Sequence, residues 1–209
     1  MKVVVFGASR GVGLQVVKQA LEAGHTVTAF VRSPESFEVK HAGLIVFKGD
    51  AMDAAAVAQA ISGQEAVISA LGPQRPPVPR MMETAAKNIE AGMQKHGVRR
   101  LISTTGAGIR QPEDQPKFLD RFMGLLLNLL AKDVLMDSAE SVKVIQASDL
   151  EWTIVRFPRL TEGEHTGQYR AGFVGKTSGT QLSRADAAEF ILRELEERKW
   201  CRKLPLVSY

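Results

Sequence analysis

The chain of 209 residues carries 27 lysines and arginines against 23 aspartates and glutamates, which gives a formal net charge of +4. Its length and its 44% hydrophobic content fit a single α/β domain. The basic residues are scattered and do not interleave with aromatic side chains, so we expect no nucleic-acid partner. The longest apolar segment, residues 122–131, is shorter than the roughly 20 residues of a membrane span, so we expect no membrane partner either. The single cysteine, Cys201, excludes an intramolecular disulfide, and with no targeting segment at the N-terminus we expect a cytoplasmic protein.

The N-terminal stretch combines an apolar run, a glycine-rich loop and a helical pattern. The run Lys2–Phe6 leads into Gly7, Gly11 and Gly13, and apolar residues then recur at helical spacing over 14–21. Glycines permit a sharp exit from a strand, a close approach of backbone N–H groups to a phosphate, and tight packing of helix on strand. The alternative is an ordinary tight turn. A second strand over Thr26–Val31 arrives at the distance typical of a dinucleotide-binding unit, which favours dinucleotide binding.

Arg32 follows the second strand, where folds that prefer NAD carry an acidic residue for the ribose 2′-hydroxyl. An arginine there suits a 2′-phosphate, and Arg10 in the glycine loop is near enough to reach the same group. The alternative is that both arginines are solvated at the surface. With no Asp or Glu at the strand end, the sequence favours NADP over NAD.

The next two strands end in residues that fit a ligand edge. Residues 44–47 predict a third strand, and Asp50 at its carboxyl end either meets an adenine or only closes a turn. Asp53 is the predicted N-cap of a helix over 54–61. A fourth strand over 65–72 ends in small residues. Four prolines in residues 73–80 then predict a stiff loop, whose Arg75 and Arg80 either grip an anionic substrate or meet only water.

A helix over 81–96 precedes a fifth strand, residues 100–105. Hydroxyls at the end of this strand, on Thr104 and Thr105, would lie beside the reactive end of a bound cofactor, although threonine also favours strands generally. Residues 117–148 predict one or two helices. Their apolar part, Leu125 to Leu130, is core by default, with a subunit interface or a flap over the substrate as alternatives.

The C-terminal part continues with a sixth strand over 151–156. We predict a short hairpin near Gln168 to Val174, an N-cap at Ser183 for a last helix over 184–197, and an edge strand over 203–207. No linker or repeat interrupts the chain, so we predict one domain over residues 1–209 with a small substrate-side region from 109 to 180.

The sequence lacks the residue patterns that two kinds of chemistry require. Tyr169 and Tyr209 have no lysine four positions later, which argues against the tyrosine-dependent reduction of carbonyls. No zinc pattern is present, and we expect the dispersed histidines to lie at the surface and no metal to be bound. Those histidines are His25, His41, His96 and His165.

Across nearly its whole length, the chain resembles the atypical short-chain dehydrogenases/reductases, and within the NmrA-like NAD(P)-binding set it is most similar to the flavin reductase/biliverdin-IXβ reductase group. The resemblance rests on the order and spacing of several motifs. These are the glycine loop, Phe30-Val31-Arg32, Gly49-Asp50, residues 63–68, Leu71-Gly72, Asn88-Ile89, residues 95–98, residues 152–156 and residues 166–169.

The resemblance implies a Rossmann-like α/β fold, a doubly wound parallel sheet with helices on both faces, and a set of cofactor contacts. The pyrophosphate would be held by Gly7 to Gly13, with Ser9, Arg10, Gly11 and Val12 inside that loop, and the 2′-phosphate by Arg32. Asp50 and Ala51 would meet the adenine, and Ala70, Leu71 and Gly72 the ribose side. Thr104 would lie near the nicotinamide, which Pro158, Arg159 and Leu160 would contact.

The candidate catalytic residue is Thr105. The flavin reductase pattern ends the fifth strand with a serine that falls on Gly106, the neighbour of Thr105, and the family's histidine after the sixth strand is replaced by Arg159. The resemblance implies an NADPH-dependent reductase whose cofactor passes hydride to a planar acceptor, a free flavin or a biliverdin-like tetrapyrrole. Arg75, Arg80 or Arg159 would pair with the acceptor's acidic groups. The alternative is an NADP-binding sensor without turnover, and in either case we expect a monomer or a homodimer.

Overall fold

A sheet of eight strands forms the centre of the molecule, in the order β3-β2-β1-β4-β5-β6-β10-β8. The computed structural model describes residues 1–74, 76–116, 132–175 and 179–209. Neighbouring strands pair in parallel except β8, which runs antiparallel to β10. Two further strands, β7 and β9, form a separate parallel pair. The strands are β1 Lys2–Phe6, β2 Thr26–Val31, β3 Leu44–Lys48, β4 Ala66–Ser69, β5 Arg100–Gly106, β6 Glu151–Phe157, β7 Arg159–Thr161, β8 Arg170–Gly172, β9 Gln181–Ser183 and β10 Leu206–Ser208.

Five α-helices of the described chain cover the two faces of the sheet, so the predicted doubly wound α/β fold is confirmed. They are α1 Gly11–Glu22, α2 Ala54–Ile61, α3 Met81–His96, α4 Lys132–Ala147 and α5 Arg184–Glu197. Helices α1 and α5 pack together on one face, and α2, α3 and α4 pack on the other. The apolar runs of β1, β4 and β5 are buried between these two layers, as expected of parallel strands covered on both faces.

The crossover from β2 to β3 is the exception to this pattern. It holds only a single 3-10 turn, Pro34–Ser36, where the other crossovers between the parallel strands β1 to β6 contain an α-helix. The edge strand β3 also keeps Ile45 53% and Val46 40% exposed. Strand β3 pairs with β2, the strand that Arg32 follows, so this exposed edge lies on the Arg32 side of the sheet.

Three sequence predictions about the C-terminal part and the histidines are wrong. The segment near Gln168 to Val174 does not form a hairpin, because its strand β8 pairs with β10 from the end of the chain. Strand β10 is therefore an inner strand between β6 and β8, and β8 is the edge. His25 is 7% exposed, since its ring lies against the N-terminal amine at 3.2 Å, whereas the other three histidines are exposed.

The apolar segment Leu125 to Leu130 lies outside the described residues. Within the described ranges, every helix is too short or too polar to cross a lipid bilayer. Strands β1 to β6 and the described helices follow the predicted order, with Asp53 as the N-cap of α2 and Ser183 as the N-cap of α5. The paired strands β7 and β9 were not predicted.

Candidate functional site

A cleft of about 620 Å³ opens at the carboxyl ends of the parallel strands. It lies where β1 and β4 adjoin and the chain turns to build the sheet in the opposite direction, which is the position at which open α/β sheets bind ligands. The cleft is lined by the glycine loop and by the ends of β2, β4, β5 and β6, together with the start of α5. The fold thus brings segments from both halves of the chain to one site.

The glycine loop is packed against the sheet so tightly that side chains are excluded. A Cβ on Gly13 would lie 2.2 Å from the carbonyl oxygen of Gly7, and one on Gly7 would lie 2.5 Å from the carbonyl oxygen of Ala70. Gly7 also has a φ of +77°, in the left-handed region that favours glycine. Gly13 is buried and does not line the cleft, so it fixes α1 against β1, whereas Gly7, Ser9, Arg10, Gly11 and Val12 face the open space.

The first turn of α1 has free N–H groups where three other helices are capped. Asp53 caps α2 and Ser183 caps α5. Asp137 of α4 accepts hydrogen bonds from the backbone of α3 at Met82 and Glu83, both at 3.0 Å. At α1, the N-cap residue Arg10 provides no side-chain hydrogen bond, and no acidic residue lies in the first turn. This helix end therefore presents its partial positive charge to the cleft.

Two arginines lie on the side of the cleft next to β2. Arg32 donates a hydrogen bond from Nη1 to the side-chain oxygen of Gln74 at 2.8 Å, and both side chains line the cleft. Arg10 is exposed and lines the cleft as well. Gln74 was not among the predicted site residues, because the proline-rich loop gave no periodicity from which its direction follows.

Asp50 and Ala51 form the floor between β3 and α2. The carboxylate of Asp50 accepts a hydrogen bond from the backbone N–H of Met52 at 2.9 Å, which closes a turn, and both Asp50 and Ala51 line the cleft. The two roles that the sequence left open for Asp50 are therefore compatible. Phe30 and Gly49 line the same part of the cleft.

The opposite end of the cleft carries hydroxyls and small residues. Thr104, Thr105 and Gly106 at the end of β5 line it, and so does Ser138 of α4. Thr105 pairs in register with Arg156 of β6, a buried arginine whose guanidinium is held by Asp114. After β6, Phe157, Pro158 and Leu160 follow in the lining. Ala70, Leu71 and Gly72 connect this end to the glycine loop.

Arg159, a predicted cofactor contact, lies outside the cleft lining. It is exposed at the start of β7 and does not line the cleft, because alternate residues of a strand face opposite sides and its neighbours Pro158 and Leu160 point inward. Of the other proposed acceptor arginines, Arg75 lies outside the described residues. Arg80 is exposed and pairs with Glu83, with Nε to Oε2 at 2.9 Å.

Arg184 and Glu162 lie in the cleft although sequence reasoning missed them. Arg184 begins α5 and donates a hydrogen bond to the carboxylate of Glu162, which follows β7. A helix start with an arginine after Ser183 was visible in the sequence. Arg184 approaches the glycine loop only because α5 packs against α1, and this packing cannot be predicted from the local sequence pattern.

The two tyrosines lie away from the cleft lining, as does a polar cluster at the start of α5. Burial raises the pKa of Tyr169, whose hydroxyl donates to Glu189 at 3.2 Å. Side-chain atoms of His165, Asp186 and Glu189 lie within 4.8 Å of one another. The buried Asp186 already accepts four hydrogen bonds, two from the backbone of residues 166 and 167 and two from the hydroxyls of Thr166 and Tyr209. The cluster anchors a loop and the C-terminal residue, with little acceptor capacity left for an ion.

Comparison with known proteins identifies a family and proteins of the same fold. A family model described as NAD(P)H-binding matches residues 7–198. The uncharacterized protein YwnB of Bacillus subtilis strain 168 is 26% identical over 211 residues, covering 94% of this chain and 92% of its own. A short-chain dehydrogenase/reductase of Veillonella parvula DSM 2008, solved in complex with NADP, is similar with a TM-score of 0.83 at 18% identity, over 100% of this chain and 94% of that one. ChuY, an anaerobillin reductase of Escherichia coli O157:H7, has a TM-score of 0.82 at 22% identity, over 99% of this chain and 96% of its own.

Proposed function

Because the chain belongs to the NAD(P)H-binding family, we propose that it is an NADPH-dependent reductase that passes a hydride to a planar, conjugated acceptor, either a free flavin or a linear tetrapyrrole. Within that family we place it with the flavin reductase/biliverdin-IXβ reductase group of the NmrA-like set. The observation that carries the cofactor part is the uncapped N-terminus of α1 at the cleft. A dinucleotide's pyrophosphate supplies the anion that this helix end lacks.

The residues of the cleft fit a dinucleotide along its whole length. The glycine loop leaves backbone N–H groups open to a pyrophosphate, and we propose that Asp50 and Ala51, which line the cleft, contact the adenine. Arg32 supports NADPH over NADH, because its guanidinium lies after β2 and, among the described side chains, hydrogen-bonds only the neutral amide of Gln74. An amide is a weaker partner for arginine than a phosphate, so we propose that a 2′-phosphate takes its place.

The lining also limits the chemistry that the protein itself performs. Among its described residues, the cleft has no tyrosine, lysine, histidine or cysteine, and its hydroxyls belong to Ser9, Thr104, Thr105 and Ser138. The bound cofactor supplies a hydride from its nicotinamide ring. A flavin that receives this hydride at N5 needs only one proton, at N1, to complete its reduction, and water can supply it, so no strong protein acid is required. Thr105 then orients the acceptor rather than protonating it.

A second hollow adjoins the cofactor cleft, and we propose that the acceptor reaches the Thr105 end of the cleft from it. This hollow, of about 560 Å³, shares Pro73, Gln74 and Met81 with the cleft. Its described walls include Val78 and Met136, which are 37% and 55% exposed. Exposed apolar side chains in a concave site suit a flat conjugated ring. The tetrapyrrole alternative is supported by ChuY, which is an anaerobillin reductase of the same fold.

A sensor that binds NADP without turnover is the second candidate. The described lining residues include no tyrosine or lysine, the pair that protonates a developing alkoxide in tyrosine-dependent enzymes, which favours the sensor over a carbonyl reductase. The sensor and the flavin reductase differ in one observable, since only the reductase consumes NADPH.

An acceptor panel tests the proposal. NADPH consumption is followed by nicotinamide absorbance with FMN, FAD, riboflavin, biliverdin and a quinone, each without oxygen. We expect saturable consumption with at least one flavin or with biliverdin. Saturable NADPH binding without consumption in any arm would support the sensor instead.

A further inference from the structure

Arg184 and Glu162 form an ion pair within the lining of the cleft. Arg184 donates from Nη1 to Oε1 of Glu162, and both residues line the cleft. The Arg184 side chain is 27% exposed, whereas that of Glu162 is 79% exposed. The arginine side chain is thus mostly covered by the protein, whereas its partner is a carboxylate largely in water.

The arginine lies beside the first residue of α1. A Cβ built on Gly11 would be 3.6 Å from Nε and 3.9 Å from Cδ of Arg184. Because Arg184 starts α5 and Gly11 starts α1, the packing of these two helices fixes the distance. The guanidinium therefore stands at the same helix end whose N–H groups lack a side-chain cap.

The present partner of Arg184 is weaker than the anion that this position can receive. An ion pair with a largely exposed carboxylate contributes little, because water competes for both charges. A pyrophosphate on the N-terminus of α1 would bring two negative charges next to the guanidinium, whose planar fork matches phosphate oxygens. Glu162, left in place, would repel the same anion.

We propose that Arg184 is a ligand of the cofactor's diphosphate, and that Glu162 holds its guanidinium in the cofactor-free protein and releases it when the dinucleotide binds. This rests on the cofactor part of the proposed function and not on hydride transfer. It makes Glu162 an internal competitor of the cofactor, so its removal tightens binding through Arg184.

Titration of NADPH by its fluorescence tests both halves without any turnover. We expect Arg184→Gln to raise the Kd about tenfold, the loss of one charge-assisted contact. Glu162→Gln is expected to lower the Kd severalfold. In the double variant this gain is expected to disappear, leaving a Kd close to that of Arg184→Gln, because the two residues act through one contact.

Adenosine 2′-monophosphate, which has no diphosphate, is the matched control ligand. We expect Arg184→Gln to leave its Kd within about twofold, while Arg32→Ala weakens it. An Arg184→Gln protein that binds NADPH as tightly as wild type, or that loses both ligands equally, would overturn the proposal. So would independent effects of the two single variants.

Two further measurements keep the result interpretable. Urea unfolding of each variant checks that the fold persists, and Arg184→Lys, which keeps the charge but loses the fork, should give an intermediate Kd. A wild type that binds NADPH with these responses but reduces no acceptor would refute the reductase and leave this assignment standing. A wild type that binds no NADPH would contradict both.

Discussion

Arg156 and Asp114 form a bidentate ion pair beside the end of the cleft that Thr105 lines, with Nη1 to Oδ2 at 2.6 Å and Nη2 to Oδ1 at 2.9 Å. Both side chains are almost fully buried, at 0% and 2% exposure. Asp114 also accepts hydrogen bonds from the backbone of Gln111 and Val174. The pair therefore joins β6 to two other segments, residues 109–116 and the stretch after β8.

Breaking this pair should cost more stability than a surface change. Asp114→Asn leaves the guanidinium of Arg156 buried without its counter-charge, and we expect the free energy of unfolding to fall by about 3 kcal/mol. Urea titration measures the loss, with Asp149→Asn as the control, since that side chain is 100% exposed. The double variant Asp114→Asn/Arg156→Gln should be less destabilised than the sum of the single variants. Strictly additive effects would contradict the coupling.

We expect the protonation of Asp186 to cause part of the fall in the free energy of unfolding at low pH. Burial raises its pKa, but hydrogen bonds from the Tyr209 hydroxyl, the Gly167 N–H and Thr166 outweigh burial and lower the pKa to about 2. A carboxyl whose pKa is lower in the folded chain stabilises it fully above its unfolded pKa near 4, and that stabilisation is lost as the pH falls towards 2.

We therefore expect the free energy of unfolding to include about 2 kcal/mol from Asp186 at pH 6 that has largely gone near pH 2. Asp186→Asn should be less stable than wild type at pH 6, and the difference should shrink below about pH 4. Asp149→Asn should follow the wild-type curve. A constant difference between Asp186→Asn and wild type across this range would contradict the assignment.

Arg32 should decide between the two nicotinamide cofactors. We expect Arg32→Ala to raise the Kd of NADPH about tenfold to a hundredfold, the loss of a charge-assisted contact to the 2′-phosphate. The Kd of NADH should change by less than about twofold. Gln74→Ala serves as the matched control, because it removes the hydrogen-bond partner of Arg32 but not the positive charge. Equal losses for both cofactors would mean that Arg32 does not read the 2′-phosphate.

Thr105 should affect turnover more than cofactor binding. Thr105→Val keeps the shape of the side chain and removes the hydroxyl, so we expect kcat to fall about fivefold, the value of one neutral hydrogen bond. The Kd of NADPH should stay within about twofold of wild type. Thr104→Val and Ser138→Ala test the other two hydroxyls at this end of the cleft. If Ser138→Ala has the larger effect, the orienting hydroxyl belongs to α4 and not to β5.

The sequence was sufficient for the parts of the fold that depend on local pattern. Continuous apolar runs such as Lys2–Phe6 and Thr26–Val31 became buried parallel strands, and Asp53 and Ser183 became the caps that their spacing indicated. The three-residue strands were different. β8 and β10 pair across more than 30 intervening residues, so neither the position of β10 inside the sheet nor the lack of a hairpin follows from the local sequence.

The residues of the site likewise fall into those that the sequence could predict and those that it could not. The glycine loop and the residues at the ends of β2, β4 and β5 reach the cleft because parallel strands end at one edge of the sheet. Arg184 reaches it only through the packing of one helix on another. Arg159 misses it because the strand after β6 alternates its side chains, a register that the sequence alone did not fix.

The most direct test of the account is anaerobic mixing of the wild-type protein and the Arg32→Ala variant with NADPH and FMN, while nicotinamide and flavin absorbance are followed together. We predict that wild type bleaches one FMN for each NADPH oxidised, and that the variant needs a higher NADPH concentration to reach the same rate. NADPH that binds saturably while both absorbances stay constant, with FMN and with every other acceptor of the panel, would contradict the reductase and identify the cleft as a sensor site.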